Sequence, residues 1–188
     1  MARVALTIGH AGRPSKAGDR GAAFGGREEV EVAARYVLAM DQELRRLGVE
    51  CLPLMGGGYA EHWALADGWG ADVYLNCHVN AGGGDYAAIF FDHRSAKGAA
   101  LARAVAGEMT RALPWAARDI ACRPDTNGAP RDGDFSEAFA TIAGVRAVAL
   151  CLEPYFLDGP RRLAFLGQLD SVGQAVARGI AAWLGERS

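Results

Sequence analysis

The chain has no long run of lysine and arginine, no apolar stretch long enough to cross a bilayer, and no pair of cysteines spaced as Cys-x-x-C. Each absence removes a class of function. With a net charge of -2 and a pI near 6.1, the protein has no electrostatic grip on nucleic acid or on anionic membranes. Neither is expected as a partner. Without a membrane-length apolar segment, no helical span is expected. Cys51, Cys77, Cys122 and Cys151 are scattered, three of them in or beside apolar runs. They read as free buried thiols of a reducing compartment, not as a cysteine zinc site. Met1 to Ile8 reads directly as a strand, and its apolar run is too short for a signal peptide, with no cleavage region after it. The chain is therefore expected to stay in the cytoplasm until something releases it. There is also no repeat, no low-complexity tract and no linker, so residues 1–188 are read as one domain. Nothing in the residues specifies an oligomeric state.

What is present is an alternation of strand and helix signals. Strands are expected at 3–8, 49–54, 72–77, 86–91 and 145–152, with a weaker one at 117–122. Helices are expected at 29–47 (ended by Gly48), 59–68, 95–112, 135–143 and 160–185. Residues 9–27, rich in Gly, Ala and Arg, read as a long loop, and 123–134 as an exposed one. The pattern predicts a layered α/β domain with a mostly parallel sheet, and 145–152, the most apolar strand, belongs at its centre.

Three of the apolar runs end in residues suited to metal chemistry. Val4–Ile8 runs into Gly9-His10, Val73–Leu75 leads through Asn76-Cys77 to His78, and Ala147–Leu152 ends at Glu153. In open α/β sheets, ligands and chemistry gather at the carboxyl ends of strands. Two histidines brought to that edge are the natural start of a catalytic zinc site, which takes three protein ligands and leaves one position open.

The third ligand is sought at Glu28-Glu29, where the first long helix opens. At about 100° per residue, Ala33, Tyr36, Val37, Met40, Leu44 and Leu47 form one apolar stripe. Glu29 lies roughly 30° from its centre and Glu28 roughly 130° away. Glu28 thus faces solvent with Glu31, Arg35 and Arg46 and is explained by the helix dipole alone. Glu29 faces inward, where a carboxylate is costly unless paired or bound to a metal. The expected metal set is His10, Glu29 and His78, with Zn2+ as the ion.

Glu153 follows Val-Ala-Leu-Cys-Leu without a break, and Pro154 then ends any ladder. A carboxyl group there borders low dielectric, which raises its pKa and suits proton transfer beside a metal. It is expected to be the catalytic acid/base. The competing reading is a strand-end acid paired with Arg146, Arg161 or Arg162. His62 and His93 are read as surface or cleft residues. Arg123, Asp125, Asn127, Arg131 and Asp132, with Arg13 and Lys16 of the first loop, are candidates to border a substrate groove.

With these residues in view, the chain resembles the zinc-dependent N-acetylmuramoyl-L-alanine amidases of the type-3 group. Gly9-His10-Ala11-Gly12 matches the family's Gly-His-x-Gly turn, and Gly25-Gly26-Arg27-Glu28-Glu29 its Gly-rich approach to a helical Glu. His78-Val79-Asn80-Ala81 matches His-x-Asn-Ala, and Leu152-Glu153-Pro154-Tyr155-Phe156 the late strand ending in a catalytic Glu. The departures are Thr7-Ile8-Gly9 where Asp-Pro-Gly is frequent, His62 near the place of a helical Arg, and Pro154 after the catalytic Glu.

The resemblance implies a mixed, mainly parallel sheet of about six strands flanked by helices. It implies His10, Glu29 and His78 as zinc ligands and Glu153 as acid/base. It also implies hydrolysis, in peptidoglycan, of the amide joining N-acetylmuramic acid to L-alanine. A lone catalytic domain of this kind looks like a phage or prophage endolysin. The rival readings are another zinc peptidase or deacylase, and a non-catalytic α/β binding module.

Overall fold

The computed structural model describes residues 1–12, 18–113, 115, 117–129 and 132–186. Its centre is a six-stranded sheet. β1 (Arg3–Ile8) lies between β4 (Glu50–Leu54) and β5 (Val73–Cys77). β5 pairs with β8 (Val148–Glu153), β8 with β6 (Ala87–Asp92), and β6 with the edge strand β7 (Ala117–Cys122). All pairings are parallel except β6 with β8. The sheet is thus mixed and mostly parallel, as expected, and the strand read as central is an interior one. A parallel arrangement aligns the carboxyl ends of β1, β5 and β8, and that alignment makes the site.

Alternation along the strands divides the core in two. Val4, Leu6 and Ile8 of β1 and Val73, Leu75 and Cys77 of β5 join the larger cluster. It is covered by α1 (Glu29–Arg46), α3 (Ala96–Ala112) and α6 (Leu169–Gly185). The opposite positions Ala5, Tyr74 and Cys151 join a smaller cluster under α2 (Tyr59–Trp69) and α4 (Ser136–Ile142). Each large side chain buried here contributes about 1.5–3 kcal/mol of transfer free energy, so the face under α1, α3 and α6 carries most of the stability. All four cysteines are free and buried. No helix of the described residues is long and apolar enough to cross a membrane.

Three local expectations are corrected. The segment read as one loop, 9–27, contains a two-residue ribbon, β2 (Ala23–Phe24) against β3 (Arg27–Glu28), closed by Gly25-Gly26. Two-residue strands are too short to show a period. The closing helix is broken into α5 (Arg162–Leu166) and α6, parted at Gly167-Gln168. Gly is among the weakest helix formers, and Phe165 turns into the aromatic cluster of Trp115 and Tyr155 at this point. The central strand starts at Val148, later than the expected residue 145, and it includes Glu153.

Candidate metal centre and its cleft

Each side chain of the centre is set by the element that ends beside it. His10 follows β1 through Gly9, and its backbone sits at φ 62, an uncommon conformation for a residue with a side chain. Such backbone outliers concentrate at functional sites. The turn points the imidazole over the sheet edge, with Nδ1 3.0 Å from Asp19 Oδ2 and Nε2 3.4 Å from Glu29 Oε2. A carboxylate on one ring nitrogen that leaves the other facing a cluster is the usual support of a metal-bound histidine.

Glu29 opens α1 and is only 5% exposed. Its Oε1 accepts from Val79 N–H at 3.1 Å and lies 2.8 Å from His78 Nδ1, while Oε2 accepts from Ala22 N–H at 3.0 Å. Burial pushes the carboxyl pKa up, but hydrogen bonds with His10 and His78 outweigh it and hold the group well below the usual range. His10 is shifted upward, first by its hydrogen bond with Glu29, against burial, with Asp19 adding to the rise. Glu28 is the extended residue that precedes the helix, and it pairs with Arg20 in solvent.

His78 lies just past β5. Its N–H donates to Leu152 O (2.9 Å) and its carbonyl accepts from Tyr36 Oη (2.8 Å), so the backbone is pinned on both sides. Two glycines make room for the cluster. A Cβ on Gly9 would overlap the His78 ring, and one on Gly21, which sits at φ 73, would overlap the Glu29 carboxylate. One ligand atom from each of His10, Glu29 and His78 lies within 4.8 Å of the others. No other group of three or more His, Cys, Asp or Glu among the described residues is arranged to hold a metal. A buried carboxylate between two imidazoles, in a cradle closed by glycines, fits a divalent cation of the zinc type.

Glu153 completes β8 and lines the same cleft of about 460 Å³ as the three clustered residues. Burial, reinforced by the negative charge of Glu29, pushes its pKa up to about 7, against a hydrogen bond with the Asn80 side chain. Asn80 is held there because the pairing of β5 with β8 resumes beyond the strands. Asn80 N–H donates to Tyr155 O, and Leu157 N–H to Asn80 O. The three arginines weighed as partners of Glu153 are engaged elsewhere. Arg146 pairs with Asp67, Arg161 pairs with Asp85, and Arg162 lies over the Phe24 ring.

His62 is not a surface residue: it is 5% exposed and its Nε2 is bonded to Gly56 O. His93 lies by Asp92 and Cys122 O, and neither histidine lines the cleft. Asp125, Asn127 and Asp132 fold back on backbone N–H groups of their own loop, and with Arg123 they lie outside the cleft wall. Arg13, Lys16 and Arg131 fall outside the described residues. The wall is made by Tyr59 of α2 and by Glu137, Ala138 and Thr141 of α4. Sequence reasoning missed Asp19, Asn76, Tyr59 and Glu137. Only Asn76 left a signal, as a polar residue inside an apolar strand.

Comparison with known proteins agrees with the fold and gives the chain a family. The family model for N-acetylmuramoyl-L-alanine amidase, Amidase_3, matches residues 4–182. Among solved structures, AmiC2 of Nostoc punctiforme, an N-acetylmuramoyl-L-alanine amidase, superposes with a TM-score of 0.77 at 18% identity, over 98% of this chain and 97% of that one. Cwp6 from Clostridium difficile superposes at 0.76 and 19% identity over 98% of this chain, which spans 29% of that protein's length. The catalytic domain of CD27L endolysin, which targets Clostridia difficile, superposes at 0.71 and 14% identity over 96% and 97%. At these identities the structures establish a shared fold. No curated protein matches the chain by sequence.

Proposed function

The chain belongs to the N-acetylmuramoyl-L-alanine amidase family, and from that premise we propose that it uses one zinc ion, with Glu153 as acid/base, to cut peptidoglycan between N-acetylmuramic acid and the stem peptide. The observation that carries this reading is the convergence of His10, Glu29 and His78 within 4.8 Å, with Glu153 in the same cleft. His10 Nε2, a Glu29 oxygen and His78 Nδ1 would hold the ion, because those atoms face one another. When bound, the cation acts as a Lewis acid on the scissile carbonyl and makes the attacking water acidic near neutral pH.

The chain's own residues do the rest. Asp19 orients His10, and the backbone N–H groups of Ala22 and Val79 hold the Glu29 carboxylate in place. Glu153, buried enough to bind a proton near pH 7, takes one from the attacking water. It then delivers that proton to the L-alanine nitrogen as the C–N bond breaks. The products are a lactoyl carboxylate on the sugar and a free amino terminus on the peptide. The fold is shared with an endolysin catalytic domain as well as with other amidases, and a lytic phage or prophage setting is the one proposed for this chain.

Digestion of a defined muramoyl-peptide with the zinc-loaded protein tests the reading. The expected products are N-acetylmuramic acid and a peptide beginning at L-alanine. Cleavage within the stem peptide, or release of acetate, would assign the site to a peptidase or a deacylase instead.

A further inference from the structure

β5 reads Val73-Tyr74-Leu75-Asn76-Cys77 and is buried throughout. Tyr74 and Asn76 alternate onto the face toward α2 and α4. Asn76 is 1% exposed, and an amide in such a position is costly unless its polar atoms are engaged. Here they bridge two elements. Thr7, the register partner of Asn76 on β1, donates from Oγ1 to Asn76 Oδ1 at 2.7 Å. Asn76 Nδ2 lies 2.9 Å from His78 Nε2. The chain Thr7–Asn76–His78 thus ends on the ring nitrogen that faces away from Glu29.

The direction of these bonds decides which nitrogen of His78 carries its proton. With Nδ2 donating to Nε2, the proton sits on Nδ1, 2.8 Å from Glu29 Oε1. A nitrogen that carries a proton has no lone pair for a metal. Ligation through Nδ1 requires the proton on Nε2, and Asn76 must then offer Oδ1 to it. Turning the amide by 180° achieves this without moving another heavy atom, because a hydroxyl both donates and accepts, and Thr7 Oγ1 can take the bond from Nδ2. The Thr7 hydroxyl hydrogen then needs an acceptor. Tyr74 Oη, buried and making no hydrogen bond of ordinary geometry among the described residues, lies beside the Thr7 side chain and is placed to accept that hydrogen.

We propose that Asn76, steered by Thr7, is a positioning residue that turns its amide to fix His78 in the Nε2–H form and so frees Nδ1 for the metal. The inference rests on His78 being a metal ligand. It adds that metal affinity is set partly by two uncharged residues that never touch the ion. Outer partners of this kind change metal affinity by roughly 10–100-fold when removed.

The test is zinc affinity, measured by competition with a chromophoric chelator, in Asn76→Leu, Asn76→Asp, Thr7→Val and Thr7→Ser. Asn76→Leu keeps the shape and loses both bonds, and it is expected to weaken zinc by about 10–100-fold. Asn76→Asp keeps an acceptor for Nε2–H and should bind as tightly as the parent or tighter. Thr7→Val should weaken binding by less than Asn76→Leu, and Thr7→Ser should restore it. Nitrogen-15 spectra of the zinc-loaded parent should show His78 protonated at Nε2. Unchanged affinity in Asn76→Leu, equal losses in the Leu and Asp variants, or a proton on Nδ1 in the loaded protein would overturn the proposal. Should Asn76→Leu fail to fold, the Val/Ser pair at position 7 decides. A parent that binds no zinc would mean that the metal reading itself has failed, a distinguishable result.

Discussion

The two faces of the sheet are built to different ends. Toward α1, α3 and α6 the strands present Val4, Leu6, Val73, Leu75, Leu150 and Leu152, and the helices answer with Tyr36, Met40, Leu101, Val105, Val176 and Ile180. Toward α2 and α4 the same strands present Ala5, Thr7, Tyr74, Asn76 and Cys151, and the buried apolar cluster is smaller. Glu153, two residues past Cys151, falls in the same alternation. The first face stores stability. The second spends part of its packing on a polar line that runs along the sheet to the cluster of His10, Glu29 and His78. One sheet can do both because strand side chains alternate, so a residue changed for chemistry leaves its neighbour in the other core untouched.

Substitutions on the two faces should therefore move different observables. The largest effect is expected at the chemistry. Glu153→Gln should lower kcat by about 10²–10⁴-fold with bound metal retained, and loss of the metal alongside activity would make Glu153 a ligand. Leu101→Ala, deep in the larger core, should cost about 2–5 kcal/mol of stability, read from denaturant unfolding. Zinc affinity per folded chain should not change, and a change would mean that the two faces are coupled.

Next in size is the pH dependence. In its proposed role Glu153 must be unprotonated to accept a proton, and burial raises its pKa to about 7. A bound cation pulls that value lower. Activity should therefore fall as pH drops below neutrality, by up to about tenfold per unit once the group is mostly protonated. An acid limb that survives in Glu153→Gln would assign it to another group. The smallest effect is expected at Arg35→Ala. This exposed partner of Asp170 joins α1 to α6 at the surface, where such pairs contribute little. Neither melting temperature nor turnover should move measurably.

The apolar periodicity made most of the fold legible. The interior strands announced themselves as Val-Tyr-Leu and Val-Ala-Leu-Cys-Leu runs. The 100° stripe of α1 separated Glu29 from Glu28, and the structure buries the first and leaves the second paired with Arg20. What stayed hidden has no period. Asp19 reaches His10 from a loop, and the β2–β3 ribbon is two residues per strand. The break at Gly167-Gln168 answers to tertiary packing of Phe165. His62 is buried by its bond to Gly56 O and by its place in α2, a helix too evenly apolar for its inner face to be read. Asn76 stood in plain view, but its meaning depends on Thr7 being its neighbour across the strand pair.

Metal content bears on the central claim most directly. Elemental analysis of purified protein should find close to one zinc per chain in the parent and in Glu153→Gln, and almost none in His10→Ala or His78→Ala at the same concentration. A parent without metal, or histidine variants that keep a full complement, would contradict the account.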